Sequence, residues 1–178
     1  KSATEVTLDL RKDVVFTDGT KFDSAVAKKN LDQFVSANGP QSANMAGAKT
    51  EVVDADTIKI TLATPNPDII YYLATTNSFM AASSAVGTTS IKTKPVGSGP
   101  YLYDATSVPG SQVVLVANPK YWDKSKIKFQ KIVLKIMPDV TARLNAIMSG
   151  QVDGALLDVR TANTAKDRGL KLNQSNVD

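Results

Sequence analysis

Short alternating runs of apolar and polar residues dominate the first part of the chain, a pattern typical of strands with one buried face. The clearest run places Val6, Leu8 and Leu10 on one side of a strand. On this pattern the predicted strands cover residues 5–10, 50–53 and 57–62. The last two are separated by a short acidic turn and are expected to form a hairpin.

A helical repeat follows a predicted turn at residues 17–20. Its apolar stripe recurs at i, i+4, i+7 and i+8, and its members are Ala27, Leu31, Phe34 and Val35. Asp23 or Ser24 can cap this helix, which is expected to run to about residue 38. Residues 41–47 are small and polar and predict a loop. Residues 68–74 are almost wholly apolar and predict a short core helix that buries Tyr71 and Tyr72.

The second half of the sequence alternates strand and helix signals. Residues 129–136 predict a strand, and Val133 between apolar neighbours indicates burial on both faces. The further elements expected are a helix from residue 140 that ends at Gly150, a strand at 152–157, a helix at 161–168 and a strand beginning at 170–172. This order predicts an α/β fold with a parallel or mixed sheet flanked by helices.

The chain changes character at residues 95–101, where two prolines bracket two glycines. Proline fixes φ, and glycine is free to adopt φ > 0, so we expect a defined corner rather than a flexible tether. We call residues 95–101 the elbow. The one expected domain boundary lies just before it, near residue 94.

Composition adds mainly exclusions. The 178 residues suffice for one domain or for two small lobes that share a core. The net charge of +4 is small and looks spread out, and its dense spots, residues 28–29 and 124–131, are interpreted as a solvated face. A nucleic-acid partner is therefore not expected.

The chain contains no histidine and no cysteine. The chain therefore cannot supply a catalytic triad, a reactive thiolate, or the side chains that zinc and nickel prefer as ligands. Neither a metal nor any other cofactor is predicted. The carboxylate pairs that remain are Asp54 with Asp56 and Asp153 with Asp158. Turn and cap roles suit them better than acid–base catalysis.

The loop at residues 75–80 is the best candidate for ligand contact. It follows an apolar helix and presents amide, hydroxyl, aromatic and thioether groups together, a mixture that suits a small-molecule site. The predicted ligand-binding residues are Asn77, Phe79 and Met80. The alternative, that Phe79 and Met80 simply fill the core, is equally open.

Four blocks of sequence carry a resemblance to a known family. They are the elbow together with the run ending in Asn-Pro-Lys-Tyr-Trp at 118–122, and residues 10–22, 57–67 and 136–153. Together they resemble the family 5 extracellular solute-binding proteins, the dipeptide, oligopeptide and nickel receptors of bacterial ABC importers. The resemblance implies a type II periplasmic-binding-protein-like fold. In it, residues 1–94 would form an inserted subdomain of lobe I and residues 95–178 part of the lobe I core, with the second lobe lying beyond this sequence.

The same resemblance implies a function. A receptor of this kind captures a small solute, with peptide as the favoured class, between two lobes and delivers it to a membrane permease without a covalent step. It would be extracytoplasmic, in the periplasm or as a cell-surface lipoprotein, and would touch the membrane only through a lipid anchor outside this chain. The resemblance also places Tyr121 and Trp122 at the end of a structural hairpin. Two alternatives remain open, namely an autonomous cell-surface interaction module and a carboxylate-based hydrolase.

Overall fold

The computed structural model of the chain describes residues 4–75 and 78–173. The chain divides into two compact units, of which unit 1 comprises residues 1–104 and 115–132, and unit 2 comprises residues 105–114 and 133–178. These bounds differ from the division at residue 94, which concerns lobes of a longer receptor and stays a prediction. Within the described residues, no helix has the length and apolar character needed to cross a bilayer.

Unit 1 contains a three-stranded antiparallel sheet formed by β1 (Glu5–Asp9), β2 (Lys49–Asp54) and β3 (Thr57–Thr61). Its order is β1-β3-β2, so the predicted hairpin is confirmed and β3 is the central strand. In this register Val6 lies opposite Ile60, and both side chains are buried. One face of the sheet therefore carries the core, as the alternating pattern predicted.

Helix α1 (Ser24–Ser36) covers this face of the sheet. Asp23 caps it by accepting a hydrogen bond from the Val26 amide at 2.8 Å. Ala27 and Leu31 are buried against the strands, which confirms the predicted stripe. The cap fixes where the helix begins, and the stripe fixes which side faces the sheet.

Two segments of unit 1 differ from their predictions. Most of the segment 41–47, predicted as a loop, lies in a 3₁₀ helix (Pro40–Met45), and Met45, a large apolar side chain within this polar run, is buried in the main core. Helix α2 (Ile69–Leu73) buries only Ile69, and Tyr71 is 69 % exposed, so the predicted burial of Tyr71 is wrong. A helix of five residues makes little more than one turn and presents only one side to the core.

The second sheet contains β4 (Tyr101–Tyr103), β5 (Gln112–Ala117) and β6 (Lys131–Lys135) in that order. β4 pairs antiparallel with β5. The prediction that strand 129–136 is buried on both faces is wrong: Val133 and Leu134 are 43 % and 51 % exposed. β6 lies at the edge of its sheet, where few of the described residues contact its side chains.

Unit 2 contains α3 (Val140–Met148) and α4 (Val159–Asp167), which pack against each other. Asp139 caps α3 and Asp158 caps α4, each through a hydrogen bond from a backbone amide three residues later. Gly150 has φ +72° and ends α3, as the sequence predicted. Both predicted helices are therefore confirmed, and α4 begins two residues before its predicted start.

The predicted strands at 152–157 and 170–172 do not form. A strand needs a neighbouring backbone to complete its hydrogen bonds, and hydrophobicity alone does not supply one. In the first segment the Leu156 carbonyl instead accepts the Arg143 Nε at 2.7 Å. The same guanidinium donates to the carbonyls of Met137 and Pro138, so it joins the segment before α3 to the segment between α3 and α4.

Candidate functional site

The elbow joins two other loops of unit 1 through its carbonyl groups. Val96 O accepts the Ala82 amide at 2.9 Å, and Gly97 O accepts the Thr17 amide at 2.9 Å. Because these hydrogen bonds use the carbonyl oxygens of the elbow as acceptors, the N–H groups that its prolines lack are not needed to hold it. The elbow is therefore a fixed junction between the turn at 17–20 and the loop at 78–84.

The glycines of the elbow do not use the positive φ that is open to them. Neither Gly97 nor Gly99 has a positive φ, and a Cβ added at either would meet no atom within 4 Å. The corner is therefore made by the proline rings and by the hydrogen bonds to the carbonyls rather than by left-handed glycine.

Asn118 fixes the other end of the elbow. Its side chain is buried, with Nδ2 donating to Gly99 O at 2.7 Å and Oδ1 accepting the Lys120 amide at 2.9 Å. Its own amide donates to Pro100 O at 2.9 Å. Sequence reasoning assigned no role to Asn118. The available signal was an asparagine directly before proline at the end of an apolar strand, a place where its side chain commonly bonds to nearby backbone.

The loop at residues 78–84, here called the anchored loop, is held by α1. Asn30 clamps the backbone of Ala81, because its Nδ2 donates to Ala81 O and its Oδ1 accepts the Ala81 amide, both at 2.9 Å. Lys29 Nζ donates to Ser83 O at 2.6 Å. Ala82, which lies between Ala81 and Ser83 in the loop, is fully buried. The backbone of this loop is therefore preorganised by a rigid helix.

The turn at 17–20 supports the anchored loop from the other side. Asp18 Oδ1 accepts the amide and hydroxyl of Thr20 at 3.0 and 2.7 Å, and Asp18 Oδ2 accepts Ser84 Oγ at 2.9 Å. These hydrogen bonds, the one from the Thr20 hydroxyl first, lower the pKa of Asp18. Gly19 has φ +89°, so here glycine does supply the left-handed conformation.

The predicted ligand-binding residues have different surroundings. Phe79 is 77 % exposed on the anchored loop, whereas Met80 packs against both buried clusters of unit 1. Asn77 lies outside the described residues. The core-filling alternative therefore holds for Met80 but not for Phe79, and the ligand role of all three stays a prediction.

The aromatic pair at 121–122 lies beside β1 and the turn that follows it. The guanidinium carbon of Arg11 is 3.8 Å from the centroid of the Trp122 ring, and the Tyr121 and Trp122 centroids are 5.2 Å apart. Arg11 also makes two hydrogen bonds to the Asp13 carboxylate, at 3.0 and 2.7 Å. Trp122 thus has a structural partner, as its predicted hairpin role requires.

Three of the four paired carboxylates, Asp54, Asp56 and Asp158, serve local structure. Asp54 Oδ1 accepts the Asp56 amide at 2.8 Å, a bond that lowers the pKa of Asp54, and Asp56 forms an ion pair with Lys12 at 2.7 Å. Asp158 caps α4, and the hydrogen bonds from Thr161, the hydroxyl first, lower its pKa. A carboxyl group that acts as a general acid near neutral pH needs a raised pKa. The lowered pKa values of Asp54 and Asp158 therefore do not suit that role.

The described residues hold no acidic cluster that would suit a metal, and their cavity lies away from the anchored loop. Across residues 4–75 and 78–173, no three acidic side chains cluster as a metal site would need. A shallow, mostly apolar cavity of about 290 Å³ lies at the end of α1, where Phe34 and Pro40 are among its lining residues. None of its lining residues belongs to the anchored loop.

Comparison with known proteins identifies the family. The profile of the bacterial extracellular solute-binding proteins, family 5 (middle region), matches residues 1–176. The chain belongs to this family. It is 32 % identical over 181 residues to the glutathione-binding protein GsiB of Salmonella paratyphi A, a match that covers 93 % of this chain and 34 % of the relative.

Solved structures of family 5 solute-binding proteins share the fold. NikZ from Campylobacter jejuni, in complex with Ni(L-His), superimposes with a TM-score of 0.80 and 25 % identity over 95 % of this chain and 35 % of NikZ. An ABC transporter substrate-binding protein from Sinorhizobium meliloti superimposes with a TM-score of 0.81 and 25 % identity. That match covers 95 % of this chain and 36 % of the Sinorhizobium protein. This confirms the predicted fold class, and the chain spans about a third of the length of the curated relatives it matches. The family is one of extracellular binding proteins rather than of enzymes.

Proposed function

We propose that this chain is part of the solute-binding receptor of an ABC importer. The receptor captures a small solute, with peptides as the favoured class, and delivers it to the membrane permease without a covalent step. Family membership supports the receptor, and the identity to a glutathione-binding protein supports a peptide-like ligand. Residues 1–94 and 95–178 would then supply the inserted subdomain and part of the core of lobe I.

The observation that carries the ligand site is the exposure of Phe79 on a fixed backbone. An apolar ring that is 77 % exposed gains free energy when a ligand covers it. The clamp from Asn30 fixes the backbone at Ala81, two residues after Phe79, so this part of the loop does not have to be ordered when the ligand binds. Phe79 is therefore the first ligand contact that the loop offers, and Met80 and Asn77, the latter outside the described residues, are the further ligand-binding residues proposed with it.

The binding site needs no metal or cofactor of its own, since the ligand types expected here are held by apolar surface and a few polar groups. The proposed partners are the solute and the permease subunits. The proposed location is extracytoplasmic, with a lipid anchor outside this chain as the means of attachment in a lipoprotein.

A thermal-shift screen tests this function. The complete receptor that carries this chain is heated with short peptides, glutathione, oligosaccharides and nickel–histidine in parallel. We expect a peptide-class ligand to raise the melting temperature, because a ligand that binds only the folded state stabilises it. A rise with oligosaccharides alone would contradict the peptide class, and no rise with any solute would contradict the receptor function.

A further inference from the structure

The net charge of the chain resides in one short segment. Residues 120–131 contain five of the 21 basic residues and one of the 17 acidic ones, which leaves sixteen of each in the rest of the chain. Four of the five lysines lie within eight residues. The charge that looked spread out in the sequence is therefore a local excess of +4. We call residues 120–131 the basic segment.

The five lysines of the basic segment are exposed. They are Lys120, Lys124, Lys126, Lys128 and Lys131. The ion pairs that the described residues form use other cations, such as Arg11 with Asp13 and Lys28 with Asp32. The single acid of the segment, Asp123, accepts a hydrogen bond from Ser125 Oγ at 2.5 Å. This excess of positive charge faces solvent.

Two large aromatic side chains interrupt the lysines and are themselves exposed. Phe129 is 64 % exposed and Trp122 is 41 % exposed. Aromatic rings beside lysines suit the boundary of a phospholipid bilayer, where the rings enter the headgroup layer and the ammonium groups meet phosphate. The segment therefore combines exposed aromatic rings with exposed lysines.

The ends of the basic segment are fixed, so its exposed groups are presented rather than loose. The Ala117 amide donates to Gln130 O at 2.9 Å and closes the loop at its base. The Phe129 amide donates to the Tyr101 hydroxyl at 3.2 Å, and Asn118 holds the entry of the loop to the elbow. A loop fixed in this way loses little entropy on docking.

We propose that the basic segment is a docking surface for an anionic phospholipid bilayer. It goes beyond the solute-binding function, since it gives this chain a membrane contact of its own in addition to any lipid anchor. Electrostatic attraction by the lysines brings the surface to the bilayer. Phe129 enters the interface, and the exposed part of Trp122, whose ring stays stacked on Arg11, meets the headgroups. Each lysine is expected to raise the partition coefficient about fivefold near an anionic surface at physiological salt.

Vesicle binding tests the proposal. The protein is sedimented with vesicles of phosphatidylcholine alone and with vesicles that also contain phosphatidylglycerol, at low and at high salt. Trp122 is the one tryptophan of the chain, so its emission reports the segment directly. We expect binding only to the phosphatidylglycerol vesicles, a blue shift of Trp122 emission, and loss of both at high salt.

Matched variants separate the segment from net charge. K124Q/K126Q/K128Q removes three charges from the segment, and K49Q/K92Q/K94Q removes three exposed charges elsewhere in unit 1. We expect the first to weaken partitioning about a hundredfold and the second to leave most of it, while F129S weakens it in a salt-independent manner. A folded wild-type protein that ignores phosphatidylglycerol overturns the proposal. Equal losses in the two triple variants, or binding to polyanionic nucleic acid in preference to the vesicles, overturn it as well.

Discussion

The guanidinium group of Arg11 stacks on the indole ring of Trp122, with 3.8 Å between Cζ and the ring centroid. The two residues are far apart in sequence but join the end of β1 to the chain that follows β5. Asp13 holds the guanidinium in place through two hydrogen bonds. The contact gives Trp122 a structural role, because it attaches the chain after β5 to the end of β1.

Replacing Arg11 with alanine should expose the ring and remove a cation–π contact. Because the side chains are partly exposed, we expect the free energy of unfolding to fall by about 0.5–1 kcal/mol. We also expect Trp122 emission to shift to the red. Urea unfolding followed by fluorescence measures both. Lys94→Ala, which removes an exposed cation elsewhere, is the control, and identical behaviour of the two variants would contradict the contact.

Asn118→Ala removes a buried side chain that bonds to the backbone on both sides. Gly99 O and the Lys120 amide would lose their partners, so we expect the free energy of unfolding to fall by about 2 kcal/mol. Asn163, exposed on α4, gives the matched control, and its replacement by alanine should change stability by less than about 0.5 kcal/mol. A loss at Asn118 no greater than that at Asn163 would show that the elbow does not depend on this side chain.

Gly19 and Gly97 form an informative pair for alanine substitution. Gly19 has φ +89°, a conformation that costs an L-residue about 1–2 kcal/mol, so Gly19→Ala should destabilise the protein by about that amount. Gly97 has no positive φ and open space around it, so Gly97→Ala should be neutral or stabilise by up to about 1 kcal/mol through the unfolded state. Thermal unfolding of the two variants measures the difference. A reversed order would contradict the backbone geometry described here.

Asp158 should make stability depend on pH in acid. Its hydrogen bonds with Thr161 lower its pKa below the ordinary value of 3.8, so the folded state binds this proton less readily than the unfolded state. The stabilisation is therefore present above about pH 4 and is lost as the pH falls through the lower folded pKa. Asp158→Asn keeps an oxygen to cap α4 but cannot titrate. Its unfolding free energy should fall less steeply with acid than that of the parent, and parallel pH profiles would argue against the assignment.

Local sequence patterns predicted the elements whose partners lie close in sequence. The hairpin β2–β3, the stripe of α1 and the glycine that ends α3 depend on periodicity, caps and turn chemistry, which a short window contains. The family resemblance followed from motifs spread over the whole chain. It predicted the fold class that the solved relatives confirm.

The wrong predictions concern the burial of side chains and the pairing of strands. Both depend on residues that are distant in sequence or on the arrangement of the whole sheet. Nothing in residues 129–136 shows that β6 lies at an edge, and nothing in residues 152–157 shows whether a neighbouring strand is present. Candidate-site reasoning named Phe79, which the structure leaves exposed, but assigned no role to Asn30 or Asn118. Their side chains form hydrogen bonds with backbone groups that are distant in sequence. A single sequence does not reveal which backbone groups will lie beside a given side chain.

Solute binding by Phe79 is the most direct test of the proposed function. Calorimetry is performed on the complete receptor with the peptide-class ligand that the thermal screen selects, using the parent, Phe79→Ala and Phe129→Ala. Both rings are highly exposed, but only Phe79 lies on the anchored loop. We predict that Phe79→Ala weakens binding at least about tenfold, as expected when a covered aromatic ring is removed, and that Phe129→Ala binds like the parent. Equal affinities of the Phe79 variant and the parent would contradict the placement of the ligand on this loop.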